Sequence, residues 1–301
     1  MKSKGPLLLL CTAILWGMAF VAQTTAAKSV GNFTFNASRN FVGATFLSFV
    51  IAVRKRIGKD RPAGSASYDK RTLLVAGTAC GVMLCLAANL QQAGIASYPE
   101  GTAASGRSGF VTATYMVMVA VMGAGLGKRV HPAVFAAVGV ALAGMYLLCV
   151  PAGFGSIYLG DWLVLACAFG YALHILVIDH FGMVDGVRLS RVQLLTAGSI
   201  SLVLALVLEH PQPVQLVAAL TSILYAGICS DGIAYTLQIV GQQTTDPTVA
   251  SIIMSLESVF AALGGWLVLG ESLTPVELVG CVLVFAAVLL AQAPDMLESV
   301  P

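Results

Sequence analysis

Charge is what this chain has least of. Asp, Glu, Lys and Arg together make up 10% of its 301 residues, against about 25% in a soluble domain. The length would serve two soluble domains, but so few charges cannot cover the surface of one. A net charge of +2 is too small to attract nucleic acid. The seven cysteines, at 11, 80, 85, 149, 167, 229 and 281, all lie inside apolar stretches. None shows CxxC or Cys/His ligand spacing, so they read as small packing residues, and no disulfide framework, metal site or cofactor is expected. "GAGLGK" at 123–128 lacks the spacing and the preceding strand of a phosphate loop. The acids and histidines are scattered, which argues against an enzyme, including an integral-membrane lipid-modifying one. A membrane sensor or scaffold would need an extra domain or a long tail. The 54–71 loop and the end "PDMLESVP" suit neither.

Apolar length is there in abundance. Hydrophobic residues make up 58% of the chain and the mean hydropathy is +0.89, which points to an integral membrane protein. Ten apolar segments are long enough to approach the roughly 20 residues a spanning helix needs: 5–27, 33–53, 72–96, 102–125, 132–151, 161–180, 189–209, 216–240, 247–269 and 276–293. They run without the alternation of barrel strands, so helices are expected. With the N-terminus in the cytoplasm, the inside holds Lys2, Lys4, Arg54, Lys55, Arg56, Lys59, Arg61, Lys70, Arg71, Lys128, Arg129, Arg188 and Arg191, and the outside only Lys28. That asymmetry sets both termini in the cytoplasm and places the chain in the cytoplasmic (inner) membrane.

A faint repeat organises the segments. "QAGIASYPEGTAAS" (92–105) aligns without a gap on "QIVGQQTTDPTVAS" (238–251). "LGK" at 126–128 falls on "LGE" at 269–271, and "AILWG" at 13–17 on "AFGYA" at 168–172. The order pairs the first five segments with the last five. Five is odd, so the halves, 1–151 and 152–301, enter the membrane from opposite sides. The expected fold is all-α: ten transmembrane helices as two inverted five-helix repeats around a central cavity, a plan common among secondary transporters. The basic and apolar N-terminus resembles a cleaved signal, but its place in the repeat predicts that it is retained as the first helix.

Several stretches resemble the EamA branch of the drug/metabolite transporter superfamily: "AILWGMAFVAQ" (13–23), "GRSGFVTATYMVMVAVMGAGLGKR" (106–129), "GDWLVLACAFGYALHI" (160–175) and the run from "DGIAYTLQIVGQQ" through "ASIIMSLESVFAALGGWLVLGE" to "GCVLV" (231–284). The resemblance covers nearly the whole chain. It implies ten helices in two halves and export or exchange of small metabolites, and names no substrate. The expected function is a secondary transporter moving a small zwitterionic or neutral solute, such as an amino acid, by alternating access. Its partners would be that solute and the lipid bilayer, with protons a candidate coupling ion and a monomer the expected state.

A charge inside the bilayer costs roughly 2.5–3.5 kcal/mol on insertion scales, so each marks a candidate. Glu257 is near mid-depth of its segment. It reads either as a substrate-amine or proton-coupling carboxylate, or as a clamp between helices. The resemblance, with Glu frequent here across diverse substrates, implies the clamp. Arg107 could hold a substrate carboxylate. The repeat sets it opposite Ile253 and sets Val111 opposite Glu257, so both charges are expected to face the pseudo-axis, where they could pair; helix tying or snorkelling is the alternative. For Arg39, snorkelling or a bond to a neighbouring carbonyl is expected. Asp231, Tyr235 and Gln238 share a helix face, with Cys85, Asn89 and Gln92 opposite. Asp231 is the preferred proton site, while Asn89, Gln92, Tyr235 and Gln238 could read a zwitterion or serve as interhelical glue. Tyr171 and His174 are a turn apart, with Trp16 opposite Tyr171 and Gln23 two turns along. With Tyr115 they could form an aromatic floor, or pack. Glu100 and Asp246 are expected to cap the helices that follow them, and Glu271, Glu277, Asp161 and Glu209 to lie at the interface.

Overall fold

A computed structural model describes residues 4–58, 69–127, 131–149, 157–182, 184–270 and 274–298. Lys2, Lys59, Arg61, Lys128, Arg129, Glu271, the 151/152 boundary, most of the 54–71 loop and the side chains of Cys149 and Glu277 lie outside them. The described chain folds into helices, labelled in order: α1 (Lys4–Ala26), α2 (Asn32–Arg56), α3 (Lys70–Ala96), α4 (Ala104–Gly125), α5 (Pro132–Cys149), α6 (Leu159–His180), α7 (Gly186–Leu208), α8 (Leu220–Gln242), α9 (Pro247–Leu269) and α10 (Pro275–Glu298). A short helix, Pro213–Ala218, leads into α8.

Among the described residues, seven helices are long and apolar enough to cross a membrane: α1, α3, α4, α6, α7, α8 and α9. In α5 and α10 the apolar stretches are shorter, Pro132–Gly144 and Leu278–Ala291. In α2 the N-terminal half carries Thr34, Asn36, Arg39 and Asn40, all buried. The helices form because a backbone in lipid must satisfy its own N–H and C=O groups. Leu7, Phe49, Leu74, Val203, Leu206, Leu267 and Leu289 point outward, where hydrocarbon would cover them. The chain is a multi-pass membrane protein, all-helical among its described residues.

The main helix packings cross from the first half of the chain to the second. α5 lies on α10, α2 on α7 and α8, α3 on α6 and α7, α1 on α8 and α9, and α4 on α9 and α6. Small residues allow the approach. A side chain at Gly17 would meet the backbone of Phe260 and Ala261, and one at Gly227 would meet Val42 and the Arg39 carbonyl. These contacts draw α1 against α9 and α2 against α8.

Helix ends are satisfied in sequence-specific ways. Asp246 accepts from the Thr248 amide at 2.8 Å, with Pro247 following, so the expected cap is present. Glu100 does not cap α4: the residue at the cap position is Ala103, whose side chain makes no cap hydrogen bond. Glu100 instead sits in the preceding turn, one residue before Gly101 in its left-handed conformation. Glu209 does more than lie at the interface. Its carboxylate accepts from the Phe33 and Thr34 amides at 2.9 and 2.8 Å and from the Thr34 hydroxyl at 2.7 Å. It thus caps α2 from the end of α7, where an acid suits the positive end of the helix dipole.

Candidate functional site

Among the described residues, three helices depart from regular α geometry near their midpoints. α4 is interrupted at Thr114 and α9 at Ser255 and Leu256, and α8 runs as a π-helix from Ala226 to Ala234. Irregular backbone is tolerated at this depth where it lines a cavity or is buried in protein, and π segments gather at functional sites. The departures surround a small cavity. Its walls are Trp16, Ala19, Phe20 and Gln23 of α1, Arg39 of α2, Gln91 of α3, Thr112 and Tyr115 of α4, Tyr171 and Ile175 of α6, Ser230, Tyr235 and Gln238 of α8, and Glu257 of α9.

Seven of the sequence candidates meet there: Trp16, Gln23, Tyr115, Tyr171, Tyr235, Gln238 and Glu257. The Trp16 and Tyr235 rings meet edge-on with centroids 5.0 Å apart, and the Trp16 indole donates to the Ser230 carbonyl at 3.4 Å. Glu257 is only 3% exposed, and its Oε1 has no hydrogen-bond partner. The Tyr115 hydroxyl is buried beside the same carboxyl, and Gln238 Oε1 is buried without a partner.

The other five candidates do not line the cavity. Gln92 donates to the Gln23 carbonyl at 3.1 Å. Asn89 accepts from Asn36 at 3.1 Å and donates to Ser201 at 2.9 Å. His174 shares a hydrogen bond with Gln193 at 3.0 Å, while its ring meets Tyr235 edge-on. These three hold helices in place around the walls. Asp231 is not a free acid: it takes the Arg39 guanidinium bidentately, Nε at 3.0 Å and Nη2 beside it, and Nη2 also donates to the Ser230 hydroxyl at 2.9 Å. Both side chains are buried. Arg39 therefore neither snorkels nor bonds a carbonyl; it turns into the protein because a carboxylate there can neutralise it.

Arg107 does not face Glu257. It meets Asp161 bidentately, with Nε to Oδ1 and Nη2 to Oδ2 both 2.7 Å. Tyr98 donates to the same carboxylate at 2.9 Å, and the guanidinium lies 5.9 and 4.9 Å from the Tyr98 and Tyr158 ring centres. Arg107 is in the first turn of α4 and Asp161 in the first turn of α6, so the pair closes one end of the bundle, away from mid-depth. Tyr98, in the loop after α3, has its phenol pushed above the usual range by burial and then by Asp161. A third ion pair, Arg54 to Asp185 at 3.2 Å, joins the end of α2 to the start of α7.

Sequence reasoning missed Gln91, Thr112 and Ser230 and set Arg39 aside. Gln91 accepts from Gln23 at 3.1 Å and from Tyr171 at 3.4 Å and donates to Thr112 at 3.0 Å. The signal was available in part: Gln91 and Gln92 are adjacent, and the repeat alignment favoured the identical one. Among the described residues no group of three His, Cys, Asp or Glu is placed to hold a metal ion.

The chain resembles known proteins along its length. An uncharacterized transporter from Archaeoglobus fulgidus is 28% identical over 284 residues, 92% of this chain and 82% of that one. A solved crystal structure superposes with a TM-score of 0.78 at 18% identity, covering 97% of this chain and 99% of the other, which shows a shared fold. The profile of the EamA-like transporter family matches residues 3–150 and again 158–292. With both stretches matched, the chain belongs to the EamA-like transporter family.

Proposed function

We infer that this membrane transporter moves a small metabolite across the cytoplasmic membrane by alternating access, as an exporter or exchanger, with both termini in the cytoplasm and a monomer as the working unit. The observation that carries the reading is the mid-depth cavity walled by helices from both halves of the chain. Two inverted five-helix units, 1–151 and 152–301, are the architecture that fits it. Exchanging α1–α5 with α6–α10 maps the packing pattern onto itself: α3 on α6 becomes α8 on α1, α1 on α9 becomes α6 on α4, and α3 on α7 becomes α8 on α2. The separate family matches to 3–150 and 158–292 support the same division.

The three ion pairs described among these residues support a moving seam. In each the arginine comes from the first half and the aspartate from the second. With helices alternating in direction, Arg107–Asp161 lies at the outer end and Arg54–Asp185 at the inner end, with Arg39–Asp231 between them. A rocking motion that opens one end would break that end's pair and keep the other. At the ends the pairs are partly exposed, so water can replace each partner when that end opens. The wall mixes aromatic rings with amide, hydroxyl and carboxyl groups, which suits a small polar solute better than a lipid. The scattered acids do not favour the alternative of a membrane enzyme.

The test is flux. A thermal-shift screen of metabolites on the purified protein selects solutes, and liposomes carrying the protein are then assayed for uptake and counterflow with and without a pH gradient. A stabilising solute is expected to cross, and to cross faster against a preloaded interior. A dependence on the imposed gradient would assign protons as the coupling ion. Solutes that bind but never cross would end the transporter reading.

A further inference from the structure

We propose that the cavity selects a small organic cation, an ammonium on an aromatic or apolar body, with the charge held at Glu257. The proposal rests on reading the cavity as the substrate site, and it departs from the expectation of a solute without net charge.

The argument is a count of charges within reach. Arg39 is the one cation in the cavity wall, and it is already neutralised: Nε and Nη2 are engaged by Asp231, and Nη2 also by Ser230. Arg107, the other candidate for a substrate carboxylate, is engaged by Asp161 at the end of the bundle. Among the described wall residues an anion entering the cavity would find no cation without a carboxylate partner, and it would face the Glu257 carboxyl. A buried charge needs a partner, so an anionic group is disfavoured there.

The carboxyl side of the count is different. Glu257 is 3% exposed, lines the cavity, and leaves Oε1 without a hydrogen bond. With Arg39 and Asp231 cancelling, an ionised Glu257 leaves the cavity one negative charge in excess, and a monovalent cation restores balance. Around it stand Trp16, Tyr115, Tyr171 and Tyr235. Ring faces attract cations, more so when water is excluded, and the same rings offer apolar area for the body of the ligand. The Gln238 and Gln23 amide oxygens, each buried and without a partner, offer acceptors that N–H groups could use. Few other ligands fit a carboxyl with one oxygen unpartnered, four aromatic rings and unpaired amide oxygens, with no cation lacking a carboxylate partner among the described wall residues.

A series matched in shape and varied in charge tests this. Purified protein in detergent is titrated calorimetrically with phenethylammonium, phenylalanine, 3-phenylpropionate and 2-phenylethanol. The expected result is that the cation binds at least tenfold more tightly than the zwitterion, the anion or the alcohol, that Glu257→Gln removes this preference, and that Glu257→Asp keeps part of it. Thermal unfolding of each variant, monitored by tryptophan fluorescence, separates loss of binding from loss of fold. The proposal is overturned if phenethylammonium fails to bind at millimolar concentration, if phenylalanine or the anion binds as well, or if the preference survives Glu257→Gln in a folded protein. Flux of the same four compounds in liposomes keeps the two readings apart. A cation that binds selectively and does not cross defeats transport alone; a solute that crosses without charge preference defeats only the cation assignment.

Discussion

Asp231→Asn is expected to lower the thermal stability of the purified protein more than any other single substitution in the cavity wall or its supports. The carboxylate and the guanidinium of Arg39 are both almost fully buried, and they meet through two hydrogen bonds with Ser230 completing the shell. Removing one member of a buried pair strands the other charge, at a cost of about 3–5 kcal/mol. Asparagine keeps the shape and one acceptor but not the charge, so the loss should be close to that range. Replacing both partners with apolar residues, Arg39→Met with Asp231→Leu, removes the stranded charge and should recover much of the stability. The comparison is made by thermal unfolding in detergent. An Asp231→Asn protein as stable as the parent would show that the pair does not hold α2 to α8.

Glu257→Met is expected to act in the opposite direction on stability and to reduce transport at least tenfold. Its Oε1 is buried without a partner, and leaving such a group unsatisfied costs roughly 1–3 kcal/mol. Methionine has similar length, no polar atoms, and adapts to irregular space. The variant should therefore unfold at a higher temperature, by a few degrees, while flux of the transported solute collapses. A gain in stability paired with a loss of activity is the mark of a group kept for function at the expense of the fold. If Glu257 is instead a clamp between helices, both quantities fall together. Measuring unfolding and liposome flux on one preparation distinguishes the two.

The helices themselves were readable from the sequence because lipid demands apolar runs of a set length, and the structure follows those runs within a few residues in α1, α3, α4, α6 and α9. α8 starts later than its apolar run because Pro213–Ala218 forms its own short helix. Polar faces were readable too, and they brought Trp16, Tyr171, Tyr235 and Gln238 to the cavity. What a stripe does not tell is which neighbour each side chain meets. Arg39 and Asp231 are 192 positions apart in sequence, and nothing local links them. The i, i+4, i+7 spacing put Asp231 on the face of Tyr235 and Gln238, but Ala226–Ala234 is π-helical. Its wider turn rotates Asp231 toward α2 while Tyr235 and Gln238 line the cavity. Arg107 was set toward Glu257 by repeat position alone. Its place in the first turn of α4 puts it level with Asp161 in the first turn of α6, and the nearer opposite charge determines the pairing. His174 and Asn89 were read as lining because they are polar, yet each finds a polar partner on a neighbouring helix, Gln193 and Ser201.

The central claim is that one buried cavity between two halves is reached from each side of the membrane in turn. Ala19 lines that cavity, is small and is 3% exposed, so a single cysteine there, in a background with the seven native cysteines replaced, reports access with little disturbance. Membrane-impermeant maleimide is applied to intact cells and, separately, to inside-out vesicles. Alternating access predicts labelling of Ala19→Cys from both sides, with a transported solute protecting it on each. Labelling from one side only, whatever solute is present, would contradict the account.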